Sequence, residues 1–264
     1  MAPTYLDEIL ARHRLRASLD ERDWRERVGD VSYSGPSMYE ALSSDHAVVK
    51  VIAEVKRRSP SRGWLNEYLL AGDVARQYES GGAAAISVLT DEESFAGSPT
   101  DLRDVVAATT LPVLRKDFTV SANDVLDTAQ MGASTVLLIV RALSDEELRN
   151  LLVLAEACAI DALVEVHDRD EALRALDGGA RLIGVNQRNL STFDVDTSNA
   201  ASVIGSLPSS VLAVCESGLT SSDDVRRAGD VGFDAVLVGE AFVTSSAMAE
   251  VVHSFTAMPR SSRA

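Results

Sequence analysis

Short runs of Val, Ile, Leu and Ala recur along this chain, each too brief for a helix and apolar at consecutive rather than alternate positions. They are Val48–Val55, Ala84–Leu89, Pro112–Arg115, Thr135–Val140, Ala162–Val166, Leu182–Val185, Val211–Cys215 and Ala235–Val238. Strands of a parallel sheet read this way, because helices covering both faces leave neither one wet. The segments between them carry helical signals. Ser144-Asp145-Glu146-Glu147 is a capping-box start ahead of Leu148, Leu151, Leu152 and Ala155. Asp168–Leu176 reads as another helix, stopped by Gly178-Gly179, and Ser221–Ala228 as a third, stopped by Gly229.

The runs close on Glu54, Thr90, Lys116, Arg141, Glu165, Asn186, Glu216 and Gly239, spaced 21 to 36 residues apart. That spacing holds one strand, one helix and two loops. Eight such βα units predict a single α/β domain, a (β/α)8 TIM barrel. A doubly wound open sheet would carry fewer strands and a glycine-rich first turn, where this chain has KRRSPSRG. Residues 1–47 precede the repeat, and Leu6, Ile9, Leu10 and Ala17 form part of an amphipathic stripe. They predict an N-terminal helical extension packed on the barrel. The barrel itself is expected over 48–258, and 259–264 as a flexible tail.

Charge narrows the partners. The chain has 25 Lys+Arg against 40 Asp+Glu, a formal net charge of −15, so nucleic acid or an anionic membrane would be repelled at long range. A local basic pocket for one small anion is still allowed. Cys158 and Cys215 lack ligand or disulfide-framework spacing, and His13, His46, His167 and His253 are scattered, so no metal site is expected. The N-terminus has no apolar signal core, and the most apolar stretch, Leu151–Val166, is broken by Glu156 and Asp161. A cytoplasmic protein is the expectation.

Barrel enzymes place their chemistry at the C-terminal ends of the strands. Residues i and i+2 of a strand share a face, so Glu54 with Lys56, Leu114 with Lys116, Glu165 with His167 and Val214 with Glu216 point the same way in pairs. With those faces inward, the mouth collects Glu54, Lys56, Lys116, Glu165, Asn186, Arg188 and Glu216. Carboxylates facing cations in a partly dry site acquire shifted proton affinities and suit proton transfer near neutral pH. His167 lines the mouth without an assigned role. Glu216-Ser217-Gly218 and Val238-Gly239-Glu240 follow the last two strands, where such barrels bind phosphate on backbone N–H groups. Arg57, Arg58 and Ser59 either add to that site or lie on a solvated surface. Trp64 and Phe95 either cover an apolar ring or pack locally. No G-x-S-x-G, Walker-type or dinucleotide motif is present.

Taken in order, these segments resemble the indole-3-glycerol-phosphate synthase family. The resemblance rests on Ile52-Ala53-Glu54-Val55-Lys56-Arg57-Arg58-Ser59-Pro60-Ser61, Ser87-Val88-Leu89-Thr90, Phe95-Ala96-Gly97-Ser98 and Leu114-Arg115-Lys116-Asp117-Phe118. It continues through Leu163-Val164-Glu165-Val166-His167, Gly184-Val185-Asn186-Gln187-Arg188-Asn189-Leu190, Glu216-Ser217-Gly218 and Val238-Gly239-Glu240, and covers nearly the whole chain. It implies cyclisation, decarboxylation and dehydration of 1-(2-carboxyphenylamino)-1-deoxyribulose 5-phosphate in tryptophan biosynthesis, without a cofactor. By the same resemblance Lys116 is the general acid of ring closure and Glu165 the acid/base carboxylate of dehydration. Lys56 is the cation near the aromatic carboxylate and departing hydroxyl, and Glu54 holds the lysines. Asn186 and Arg188 orient the substrate near its aromatic acid, Glu216 binds the sugar hydroxyls, and Phe95 and Phe118 are further substrate-binding candidates. Ser59, Ser217, Gly218 and Gly239 form the phosphate cradle, together with the backbone of Glu240, whose side chain must turn away. The chain departs from the family pattern at Ser94, Ser121-Ala122-Asn123 and Gln187, positions expected to affect how the ring is held. The resemblance implies a small-molecule partner and a monomer or weak homo-oligomer. Competing expectations are a paralogue for a ring-substituted anthranilate derivative, a phosphosugar isomerase and a non-catalytic phosphate-binding barrel.

Overall fold

The computed structural model describes residues 4–188 and 197–263. Eight strands form its centre: β1 Lys50–Val55, β2 Ala85–Leu89, β3 Val113–Lys116, β4 Thr135–Ile139, β5 Asp161–Val166, β6 Leu182–Asn186, β7 Leu212–Glu216 and β8 Ala235–Val238. Each pairs in parallel with its neighbours, and β8 returns to β1, closing the expected (β/α)8 barrel. Three strands run one residue past the apolar runs, so that Lys116, Asn186 and Glu216 belong to the ladder itself. Backbone pairing, such as Asn186 opposite Glu216, therefore fixes where these side chains start.

The returning helices begin at the mouth. Three open with a complete capping box, Ser121 with Asp124, Ser144 with Glu147 and Ser221 with Asp224. Each box satisfies two orphan amides and stabilises its helix start by roughly 1 kcal/mol. The helix Arg169–Asp177 stops at Gly178-Gly179 as expected, with Gly179 at φ +94°. The helix Ser222–Asp230, in contrast, runs through Gly229. That glycine serves packing: a Cβ there would stand 2.2 Å from the Pro259 carbonyl oxygen.

The N-terminal segment reaches both ends of the barrel. Helix Tyr5–Ser18 buries Leu6, Ile9 and His13, while Leu10 and Ala17 of the anticipated stripe are only half-buried. The chain then descends along helix Ala122–Gln130, where Arg22 and Arg27 lie 2.9 and 2.6 Å from Asp127. Helix Met38–Ser43 closes the floor: Ser37 Oγ and the Tyr39 N–H donate to Asp161 at the start of β5, at 2.8 and 3.0 Å. Met38 and Leu42 are fully buried there.

The segment read as a flexible tail has partners at the same floor. Val48 bridges to Pro259, the Arg260 N–H donates to Ala47 and the Ser261 N–H to Gly229. The guanidinium groups of Arg260 and Arg263 straddle buried Asp234 at 3.0 and 2.8 Å. Asp234 also accepts the Ala213 N–H at 2.8 Å. Among the described residues, no helix is long and apolar enough to cross a membrane.

Removing the carboxylate of Asp234 strands two buried cations. Asp234→Ala is expected to destabilise the fold by about 3 kcal/mol or more. The drop would appear as a lower urea midpoint, with Asp234→Asn falling between it and the native chain.

Candidate active site

The strand ends open into a cavity of about 460 Å³ at the mouth of the barrel. All fourteen residues expected at the site line it: Glu54, Lys56, Ser59, Phe95, Lys116, Phe118, Glu165, Asn186, Arg188, Glu216, Ser217, Gly218, Gly239 and Glu240. Asn189 and Leu190, part of the motif after β6, lie outside the described residues.

Lys116 is the hub of this site. Its Nζ lies 2.6 Å from Glu216 Oε2 and 3.2 Å from Glu165 Oε2. Burial opposes its charge, but Glu216, Glu165 and Glu54 outweigh that and push the ammonium well above the ordinary lysine range. A second pair joins Lys56 Nζ to Glu54 Oε1 at 2.7 Å. Burial alone would raise both Glu54 and Glu165. Lys56 and Lys116 pull the first below its ordinary value, and Lys116 and His167 the second. Glu216 goes the other way. Burial and neighbouring Glu165 outweigh Lys116 and lift its carboxyl to about 7. Its Oε1 has no hydrogen-bond partner among the described residues. That oxygen sits over Gly184, where a Cβ would come within 1.9 Å of it.

Asn186 ties three strand ends together. Its Nδ2 donates to Glu165 Oε1 at 3.1 Å, and its Oδ1 accepts from Ser217 Oγ at 2.8 Å and the Arg188 N–H at 3.0 Å. Ser217 and Gly218 both adopt positive φ, 69° and 75°, so the backbone turns sharply where β7 ends. A serine held in the left-handed region is uncommon and points to a functional turn. The Glu240 side chain pairs with Arg62, 3.2 Å away. Ser59 accepts the Arg62 N–H within its own loop at 3.1 Å. The neighbouring arginines are structural: Arg57 pairs with Asp101 and donates to the Leu69 carbonyl, while Arg58 stacks on Trp64.

Phe95 and Phe118 face each other at 6.3 Å on one wall. Behind Phe118 stands His13, 5.4 Å away, which the sequence reading left unassigned. His13 Nε2 lies 2.9 Å from Asp91 and 3.9 Å from Asp117. These three groups have metal-ligand atoms within reach of one another. Their oxygens are already engaged, Asp91 by Arg12 and the Ser94 N–H, Asp117 by Arg115, Thr90 and the Phe118 N–H. The cluster is a latch that holds the N-terminal helix on the wall. Through it Tyr5, Leu6 and Ile9 also line the cavity, a contribution that no strand-end rule signals. The departures from the family pattern lie outside the cavity. Ser94 accepts from Arg12, Ser121 caps a helix, and Gln187 donates to Cys215 Sγ and to the Ser217 carbonyl.

Known proteins decide the family. The family model for indole-3-glycerol phosphate synthase matches residues 6–255. The chain belongs to the indole-3-glycerol phosphate synthase family. Proteins named indole-3-glycerol phosphate synthase from Chlorobium phaeovibrioides and Micrococcus luteus are 44% and 47% identical to it. The alignments cover 92% of this chain and 95% of the first relative, and 96% of this chain and 97% of the second. Among solved structures, an N-acetylmannosamine-6-phosphate 2-epimerase from Clostridium perfringens superposes with a TM-score of 0.62 at 15% identity, over 79% of this chain and 92% of its own. That likeness concerns the barrel alone; the indole-3-glycerol phosphate synthase match covers the mouth as well.

Gly184→Ala adds one methyl beneath Glu216 and is expected to lift its carboxylate off Lys116. Loss of about 10²-fold in kcat/KM, with an unchanged circular dichroism spectrum, is the expected outcome in a steady-state assay.

Proposed function

We propose that the mouth closes the indole ring of 1-(2-carboxyphenylamino)-1-deoxyribulose 5-phosphate with Lys116 as the acid. Membership of the family makes this chain a decarboxylating, ring-forming lyase of tryptophan biosynthesis. One observation carries the residue assignment: a buried ammonium, Lys116, is clamped between two carboxylates at the closed end of a cavity sized for a small ligand.

The substrate is an anion at both ends. The phosphate goes to the turn Ser217-Gly218 and to Gly239, and the aromatic acid to Lys56 and Arg188, against Phe95 and Phe118. Holding both ends folds the flexible sugar chain back onto the ring, which removes much of the entropic barrier to closure. The ring carbon bearing the carboxylate attacks the ketone carbon, and the ketone oxygen takes a proton from Lys116 Nζ. An ammonium held this firmly releases its proton only as the oxygen becomes strongly basic, so its charge is spent in the transition state. The bond to CO2 then breaks, and its electron pair flows into the ring iminium and restores aromaticity. In the last step the hydroxyl departs as water with a proton from the lysine side, while Glu165 removes the neighbouring C–H proton. Two protons go to oxygen and one returns from carbon, so each turnover draws one proton from solvent. The same reading takes the enzyme as cytoplasmic and as a monomer or weak homo-oligomer.

Purified protein is expected to turn this substrate over in EDTA-containing buffer, read by indole fluorescence. Lys116→Ala should lower kcat by at least about 10³-fold. Tight binding without turnover by the native chain would overturn the assignment and favour a ring-substituted substrate or a non-catalytic barrel.

A further inference from the structure

The chemistry assigned above leaves a buried histidine beside Glu165 without a task. His167 follows the end of β5, two positions beyond Glu165, and is 6% exposed. Its backbone N–H donates to Glu171 Oε2 at 2.8 Å, and its Nδ1 lies 3.2 Å from the same oxygen. Glu171 Oε1 accepts from Arg141 Nε at 2.8 Å, and Asp168 stands 3.7 Å from another nitrogen of that arginine. The far edge of the imidazole, Nε2, is 3.6 Å from Glu165 Oε1. Charges therefore alternate along a row: Arg141, Glu171, His167, Glu165, Lys116. Glu216 and neutral Asn186 close the row on the barrel side.

The row fixes both the orientation and the charge of the ring. With Nδ1 held by Glu171, Nε2 is turned toward Glu165. Burial opposes the charge of Glu171, but His167 and Arg141 prevail and hold its carboxyl down at about 2. Burial likewise opposes a charged His167, and Glu171 and Glu165 outweigh it, raising the imidazole above its ordinary value.

We propose that His167 is a positioning residue for Glu165: an imidazolium that keeps this carboxylate oriented and ionised while Lys116 is neutral. The proposal rests on the roles given to Lys116 and Glu165 above. Once Nζ has given its proton to the ketone oxygen, Glu54, Glu165 and Glu216 converge on an uncharged amine. Lys56 is paired with Glu54, and His167 is a cation 3.6 Å from Glu165 on its other side. Without it, Glu165 would take up a proton early and be spent before dehydration. Removing a neighbouring cation raises a carboxyl's proton affinity, so the acid-side fall of kcat must move to higher pH.

The test is the pH dependence of kcat and KM for the native chain, His167→Gln, His167→Leu and Glu171→Gln. Both His167 variants are expected to move the acid limb up by about one pH unit, equivalent to ~10-fold in kcat below it, with KM nearly constant. Glu171→Gln should move it less, in the same direction. The glutamine variant keeps the backbone bond and a polar side chain, so it stays informative if the leucine variant folds poorly. An unmoved limb, or a change in KM alone, overturns the proposal. Glu165→Gln in the same series separates the two levels. If it keeps native kcat, the assignment of Glu165 fails first. If it is inactive while the limb of His167→Gln stays in place, only the role of His167 is lost.

Discussion

Everything at the mouth follows from placing an ammonium where water cannot compensate it. Burying one unpaired charge is strongly unfavourable, and pairing restores the balance only when geometry is good. Lys116 is therefore met by Glu165 and Glu216 at hydrogen-bond distance, with Glu54 further off in the same field. The remaining features serve that clamp. Asn186 steadies Glu165, Lys56 occupies Glu54, and the missing side chain of Gly184 leaves room for Glu216. The clamp also divides the carboxylates. Glu54 and Glu165 are held below the ordinary carboxylate range, whereas Glu216 is lifted to about 7, so three similar side chains at one mouth differ in proton affinity.

The barrel was legible in the sequence because it depends on period and spacing. Strands wet on neither face leave an unbroken apolar run, and the closing polar residue marks where the ladder meets the mouth. This is why Lys116, Asn186 and Glu216 were found one position beyond their runs. The sharp turn at Ser217-Gly218 was legible for a related reason, since glycine at a strand end lets the backbone turn. Local motifs fail where contacts join distant segments. His13 reads as a polar interruption of an amphipathic stripe, and only the fold brings it to Asp91, 78 residues away. Gly229 looks like a helix stop, but its reason is the Pro259 carbonyl, which no local rule contains. Arg260 and Arg263 look like a frayed polar end until Asp234 is placed between them.

His167 belongs to a third class, visible in sequence but without a role there. The alternation that pairs it with Glu165 was readable, but it stands just past the end of β5 and, contrary to expectation, does not line the cavity. Its partners Glu171 and Arg141 come from the next helix and from the loop after β4, so the row of charges exists only once those elements pack.

The N-terminal segment has a consequence for how this protein fails. One continuous stretch supplies the roof helix Tyr5–Ser18 and the floor helix Met38–Ser43, with a descending strap between them. A single protease cut in the exposed stretch after Leu19 would loosen the roof while leaving the floor bolted to Asp161. The roof would then hang only on its own contacts, Leu6, Ile9 and the pairing of His13 with Asp91, and no longer on the strap. One peptide bond thus separates the part of the segment that shapes the ligand's wall from the part that seals the barrel's floor.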